Sequence, residues 1–361
     1  MGNLPFAMIT KDKALVVSAF LAGIFFYLEH AILAAGQSAA WAAFAVLMFA
    51  IIALSMRVAS HAEVLAHRLG EPYGTMILTF AAVLVEVIML VIIMLNSDVP
   101  TMARDTVFSA VMLDINGILG LAAIIGGIRH GEQAYNLDSS NTYMGMLFVA
   151  IGISMFVPEF IPIQSWRAYS IFTVFVVLVL YVAFLRIQTV EHRGFFEYDY
   201  EEAHDEADKS PRATLYHVLA LAVSVVMIGV LSELLAVFME EGMRGSGLPL
   251  AIPAVLVATV SAAPEILTAM RAALGDRMQT VINIALGASL ATVLLTIPVI
   301  EGIALMTGQR IEMAMTPIQT AMTMLTLLAA FISLHDGETN VLEGMVHFAL
   351  FMTFIALVFL A

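Results

Sequence analysis

The sequence predicts an all-α integral membrane protein with about eleven transmembrane helices. Of its 361 residues 61% are apolar and only 12% are charged, whereas a soluble domain carries about a quarter charged residues. Its mean hydropathy is +0.97. Apolar runs of about 20 residues, enough to span a bilayer as a helix, take up most of its length. Strands would need alternating segments of roughly ten residues, and the sequence lacks them.

The first run covers about 14–35, behind Lys11 and Lys13. The second, about 39–58, ends at Arg57, with Arg68 beyond it. The third, about 74–95, contains Glu86 and leads to Arg104. The fourth, about 105–128, closes on Arg129, and the fifth and sixth, about 142–163 and 167–188, meet at Arg167. Beyond a hydrophilic stretch come runs at about 213–238, 249–272, 278–300, 313–333 and 339–360. With the N-terminus in the cytoplasm, Lys11, Lys13, Arg57, Arg68, Arg129, Arg186, Arg193, Lys209, Arg212, Arg271 and Arg277 fall inside. Arg104, Arg167, Arg244 and Arg310 fall outside. Basic residues favour the cytoplasmic side, so the N-terminus is expected in the cytoplasm and the C-terminus in the periplasm of a bacterial inner membrane.

The chain has no cysteine, which excludes disulfides and thiolate metal sites. No convincing secretory cleavage site precedes the first run. A net charge of −14 argues against nucleic acid as a partner. Much of that charge lies in Thr189–Arg212, with Glu191, Glu197, Asp199, Glu201, Glu202, Asp205, Glu206 and Asp208. The stretch reads as a solvated cytoplasmic connector, or as a weak collector of cations through its many oxygens. It divides six runs from five. The expected organisation is an N-terminal helix (1–38), a first five-helix half (39–188), an acidic linker (189–212) and a second five-helix half (213–361).

The halves look like inverted repeats. Glu86 in the third run and Glu265 in the eighth each precede a short basic turn, at Arg104 and Arg277. Aligning those arginines sets Asn116 opposite Ser289 and Asp114 opposite Gly287. The third and eighth runs are an odd number apart, so they cross in opposite directions.

A carboxylate at mid-membrane costs at least ~2.5–3.5 kcal/mol, and no Lys or Arg lies inside an apolar core to pair with Glu86. Burial favours the protonated form, and an arriving cation displaces that proton. Two such acids at one site would hold protons or a cation, not both. The plainer reading of Glu86 is an acid satisfied by neighbouring backbone. Glu265 follows Pro264, whose missing N–H frees the Val260 carbonyl. A broken helix with a bare carbonyl beside an acid suits a cation, while the plainer reading is a kink with Glu265 reaching water. Asp114 reads equally as a third ligand or a structural acid. Asn116, Asn283 and Ser289 could supply oxygens, but polar side chains also join membrane helices. Glu233 reads as an interfacial acid and His347 as a hydrogen-bonded packing residue.

No His-Glu-x-x-His, Gly-x-Ser-x-Gly or Walker-type loop occurs, so energy from nucleotide hydrolysis is not indicated and no cofactor is expected. The leading expectation is therefore a non-enzymatic cation/proton antiporter, whose partners are inorganic cations, protons and lipid. A homo-oligomer is left open. Its rivals are an uncoupled cation channel, a sensor or scaffold, and a membrane-embedded metal-dependent hydrolase using His61 and His67. Those histidines lie six apart beside Arg57 and Arg68, which favours a surface position.

Four stretches carry a resemblance. They are His61–Gly74, Gly126–Gln133, Ser261–Pro298 and Thr339–Gly344. In them the chain resembles the calcium/proton antiporter family of the calcium/cation antiporter superfamily, and within it the bacterial Cha-type sodium–potassium–calcium/proton antiporters. The resemblance implies two inverted five-helix repeats, a leading extra helix, an acidic linker and alternating access. It also implies that one glutamate per repeat binds cation or proton, here Glu86 and Glu265. Where the family has Gly-Asn three residues before each glutamate, this chain has Ala82-Val83 and Ser261-Ala262. Its second Gly-Ser reads Gly287-Ala288, with Ser289 next. Losing two carboxamide oxygens shifts the expectation from calcium toward sodium or potassium.

Overall fold

A computed structural model describes residues 12–70, 73–96, 99–188, 211–249, 251–309 and 311–360. The acidic stretch Thr189–Arg212 falls almost wholly outside the described residues. In chain order the helices are α1 (Lys13–Ala35), α2 (Gln37–Leu69), α3 (Tyr73–Leu95), α4 (Met102–His130), α5 (Leu137–Phe160) and α6 (Ile163–Arg186). They continue with α7 (Pro211–Met243), α8 (Ile252–Ser261), α9 (Ala263–Leu274), α10 (Met278–Thr307), α11 (Pro317–Ser333) and α12 (Val341–Leu360). Among the described residues nine helices are long and apolar enough to cross a membrane, and the bent pair α8–α9 adds a tenth. The shorter apolar α11 occupies the remaining expected run. Each of the eleven runs thus has a helical counterpart, although α11 falls short of a full span.

The fold divides into two compact units, 1–99 with 202–264 and 100–201 with 265–361. Each unit takes segments from both halves of the sequence. In the first, α2 packs along α7, and both pack against α1 and α3. In the second, α4 packs against α12 and α10, and α10 packs against α5 and α6. Helices α4 and α10 are almost wholly buried, whereas α1 and α6 leave most of their surface open. Phe20, Tyr27, Phe175 and Val182 are exposed. Apolar surface of that extent suits lipid.

Two helices outrun their apolar stretches, because α2 and α7 are 33 residues each. The extension of α2 beyond its apolar run is held to the start of α7 by polar contacts. His61 Nδ1 is 2.9 Å from His217 Nδ1, and Arg68 donates to Thr214 at 2.8 Å. Asp12 is buried beside them, 2.5 Å from Arg57 Nη2 and 3.3 Å from His61 Nε2, and accepts from Tyr216. Burial pushes the Asp12 carboxyl up. Hydrogen bonds from Tyr216 and Arg57 and the nearby positive charge outweigh this and hold it below the usual carboxylate range. The surface position expected for His61 is therefore corrected. It is 1% exposed, since its neighbours come from a distant part of the chain. His67 is exposed.

In the second unit, three of the resemblance-bearing stretches meet. Strands β1 (Gln133–Ala134) and β2 (Glu338–Thr339) pair antiparallel, with Gln133 opposite Thr339. Gln133 also donates to Asp276 at 2.8 Å. Helices α4 and α12 touch through glycines. A Cβ on Gly344 would lie 2.7 Å from the Gly120 carbonyl oxygen, and one on Gly120 would lie 2.8 Å from Phe348 N. Small residues permit such approach between membrane helices.

Candidate functional site

Glu86 belongs to the first unit. It lies two-thirds along α3 and is 8% exposed, flanked by buried Val83, Met89 and Leu90. Helices α2, α7 and α8 pack around α3. Gly229 of α7 admits this closeness, since a Cβ there would lie 3.2 Å from Ile92 and 3.3 Å from Ile88.

The expected break in the eighth run is present. Helices α8 and α9 meet at Ala262 with a bend of 56°. Pro264 has no N–H to offer the Val260 carbonyl, and Val260 is buried in the last turn of α8. Glu265 sits in the first turn of α9, where the helix dipole favours a negative charge. Its Oε2 is buried and has no hydrogen-bond partner among the described residues.

The other candidates all lie in the second unit, in three separate groups. Asp114, 3% exposed, lies in a π-helical stretch of α4, Met112–Ile118. Such stretches widen the backbone ladder and recur at functional sites. Its Oδ2 accepts from Ser289 Oγ of α10 at 3.0 Å. Asn116 turns elsewhere. Its amide donates to Thr326 Oγ1 at 2.6 Å, and its Oδ1 lies 3.1 Å from His347 Nδ1. His347 Nε2 in turn lies 2.9 Å from Ser333 Oγ. This chain joins α4, α11 and α12, which is what polar glue between helices does. Asn283 Oδ1 accepts from Gln279 at 2.9 Å, and Gln279 also donates to Ser139 at 3.1 Å.

Two charged residues stand differently from expectation. Arg104, placed in an outer turn by its charge, is buried within the first turn of α4. It lies 2.9 Å from Asp105 and 3.8 Å from Glu312, so its burial is paired. Glu301 falls just beyond the expected ninth run, but α10 continues to Thr307 and buries it. Glu233 is exposed. Among the described residues no three His, Asp or Glu side chains converge as a metal site.

The sodium/calcium exchanger protein family matches this chain over residues 39–190 and 216–360. Protein y4hA of Sinorhizobium fredii, provisionally named an ionic transporter, is 36% identical over 82% of this chain and 83% of its own. The sodium-potassium/proton antiporter ChaA of Escherichia coli is 32% identical over 86% of this chain and 87% of its own. The solved structure of YfkE, named a Ca2+/H+ antiporter, superposes with a TM-score of 0.73 at 20% identity. It covers 92% of this chain and 99% of that one, and it shows the same fold.

Proposed function

Because this chain belongs to the sodium/calcium exchanger protein family, we propose that it is a proton-coupled cation antiporter, with Glu86 and Glu265 as the two exchanging acids. The carrying observation is the placement of Glu86, an acid 8% exposed inside an apolar helix. A carboxylate so buried is costly to keep charged, and binding a proton or a cation relieves that cost. Glu265 supplies the second acid beside a helix break, where the Val260 carbonyl is left without its helical donor. Cation and proton compete for each carboxylate, and that competition couples their movements.

The multi-pass chain is assigned to a bacterial inner membrane with its N-terminus in the cytoplasm. On that orientation the inward proton gradient protonates the acids from outside, which releases the cation there. Sodium and potassium are favoured over calcium. Ala82-Val83 and Ser261-Ala262 offer no carboxamide oxygens, and a divalent ion needs more oxygen ligands and charge. Asp114 with Ser289 supplies further oxygens in the second unit, and Asn116 and Asn283 support the helices that carry them.

Everted vesicles holding a pH gradient provide the test. Sodium, potassium and calcium are added in turn, and collapse of the gradient is followed by a fluorescent dye. Glu86→Gln and Glu265→Gln should each abolish cation-dependent collapse while the purified proteins remain monodisperse. A Glu86→Gln protein exchanging at the normal rate would overturn the assignment. Conductance independent of pH would favour a channel instead.

A further inference from the structure

The second unit holds a buried acid that the exchange chemistry above does not use. Glu301 is 3% exposed and is the only charged residue of the 30-residue helix α10. Its Oε2 is buried and has no hydrogen-bond partner among the described residues. Tyr169 and Thr173 lie on α6, which packs against the end of α10 that carries Glu301, and Thr173 Oγ1 is fully buried with no hydrogen-bond partner among the described residues. Tyr169 donates to the Ile153 carbonyl at 2.7 Å.

The backbone here is irregular on two sides. Thr292–Thr296 of α10 and Gly152–Phe156 of α5 are both π-helical, and α6 packs against both. Thr296 Oγ1 and Ser154 Oγ, one in each stretch, are buried without hydrogen-bond partners among the described residues. An acid and several hydroxyls with unmet hydrogen-bonding capacity make an unstable arrangement in a dry interior, because each costs free energy until something satisfies it.

We propose that Glu301, with the Tyr169 and Thr173 oxygens, forms a second ion site in which an alkali cation replaces the carboxyl proton. The exchange balances: a carboxylic acid and Na+ or K+ give a carboxylate–cation pair and a free proton. One carboxylate among neutral hydroxyls compensates a single positive charge. A divalent ion would leave one charge unmatched in a poorly polarisable interior, which is costly. Other charges nearby are committed or exposed. Arg104 and Asp105, on the end of α4 that packs against Thr292–Thr296, pair with each other. Glu159 and Arg167, which flank α5 and α6, are exposed. Tyr169 is half-buried six residues into α6, and Glu301 lies six residues before the end of α10. Those two helix ends share a membrane face, the outer one on the orientation proposed above. Tyr169 thus lies at about the same depth as the acid. The proposal rests on the antiport reading only for its choice of ligand.

The test isolates this site from the main acids. Protein carrying Glu86→Gln and Glu265→Gln together is purified in detergent and titrated with NaCl, KCl or CaCl2 in weak buffer, with proton release read by a pH dye. Saturable release with sodium or potassium, weak with calcium, is expected. Adding Glu301→Gln should remove it. Adding Thr173→Val, which keeps the acid but loses a ligand, should raise the half-saturating concentration about tenfold. The second variant decides the matter should Glu301→Gln fail to fold. Release that persists without Glu301, or no release while Glu301 is present, overturns the proposal. Vesicle exchange by the Glu86→Gln, Glu265→Gln protein would sink the antiport reading instead, and the titration would still stand.

Discussion

At the scale of single residues, one hydrogen bond decides what Asp114 is for. Its Oδ2 accepts from Ser289 Oγ at 3.0 Å, joining α4 to α10. A bond of this kind between membrane helices contributes about 0.6 kcal/mol on average. Were that its whole role, Ser289→Ala would lower stability slightly and leave exchange untouched. The expected result is different: melting in detergent shifts by less than about 1 kcal/mol, while the cation concentration for half-maximal exchange rises several-fold. A hydroxyl beside a carboxylate is a cation ligand as well as a brace. Unchanged cation dependence in vesicles would return the pair to a purely structural role. Asn116 illustrates the other outcome, since its amide is already committed to Thr326 and His347.

At the scale of helices, the break between α8 and α9 is the feature most open to test. Pro264 removes one backbone donor, and the chain bends by 56° just before it. Pro264→Ala restores the N–H and lets Val260 close an ordinary helical bond. The variant should melt at a higher temperature and exchange about tenfold more slowly, a barrier increase of about 1.4 kcal/mol. A Pro264→Ala protein of normal rate would mean that the freed carbonyl serves no cation. This bend was legible because proline's missing donor is a covalent fact. The apolar runs were legible for a similar reason, as lipid demands about 20 apolar residues whatever the neighbours. Helix ends were not. Helix α2 continues past Arg57 to Leu69 because His61 meets Asp12 and His217, and Arg68 donates to Thr214. Those partners lie far apart in sequence. Glu301 was lost to the same effect, with the ninth run closed one residue too early. The π-helical stretches at Asp114 and Thr296 carry no sequence signal, because packing selects them. The Gly126–Gln133 and Thr339–Gly344 stretches were visible as a resemblance, but their reason is spatial. They pair as β1 and β2, and Gly127 of the first lets α4 approach Val341 of the second.

At the scale of the whole molecule, direction across the membrane gives the exchange chemistry its sign. An acid that loads a cation on one face and a proton on the other exports or imports according to which face is which. The orientation proposed above, with the N-terminus inside, rests on the lysine and arginine distribution, and the crossing count converts it into a side for every connection. Helices α5, α6 and α7 separate Glu132 from Ser246, and on the proposed topology each crosses once, which predicts opposite faces for these residues. Both are exposed, and the chain has no native cysteine to compete with an introduced one. A membrane-impermeant maleimide applied to intact cells should therefore label Ser246→Cys, and should reach Glu132→Cys only after the membrane is permeabilised. The reverse pattern would invert the orientation and make cation import the downhill direction. Labelling of both from outside would show an even number of crossings between them, and the inverted relation of Glu86 to Glu265, which needs each connecting helix to cross, would lose its basis.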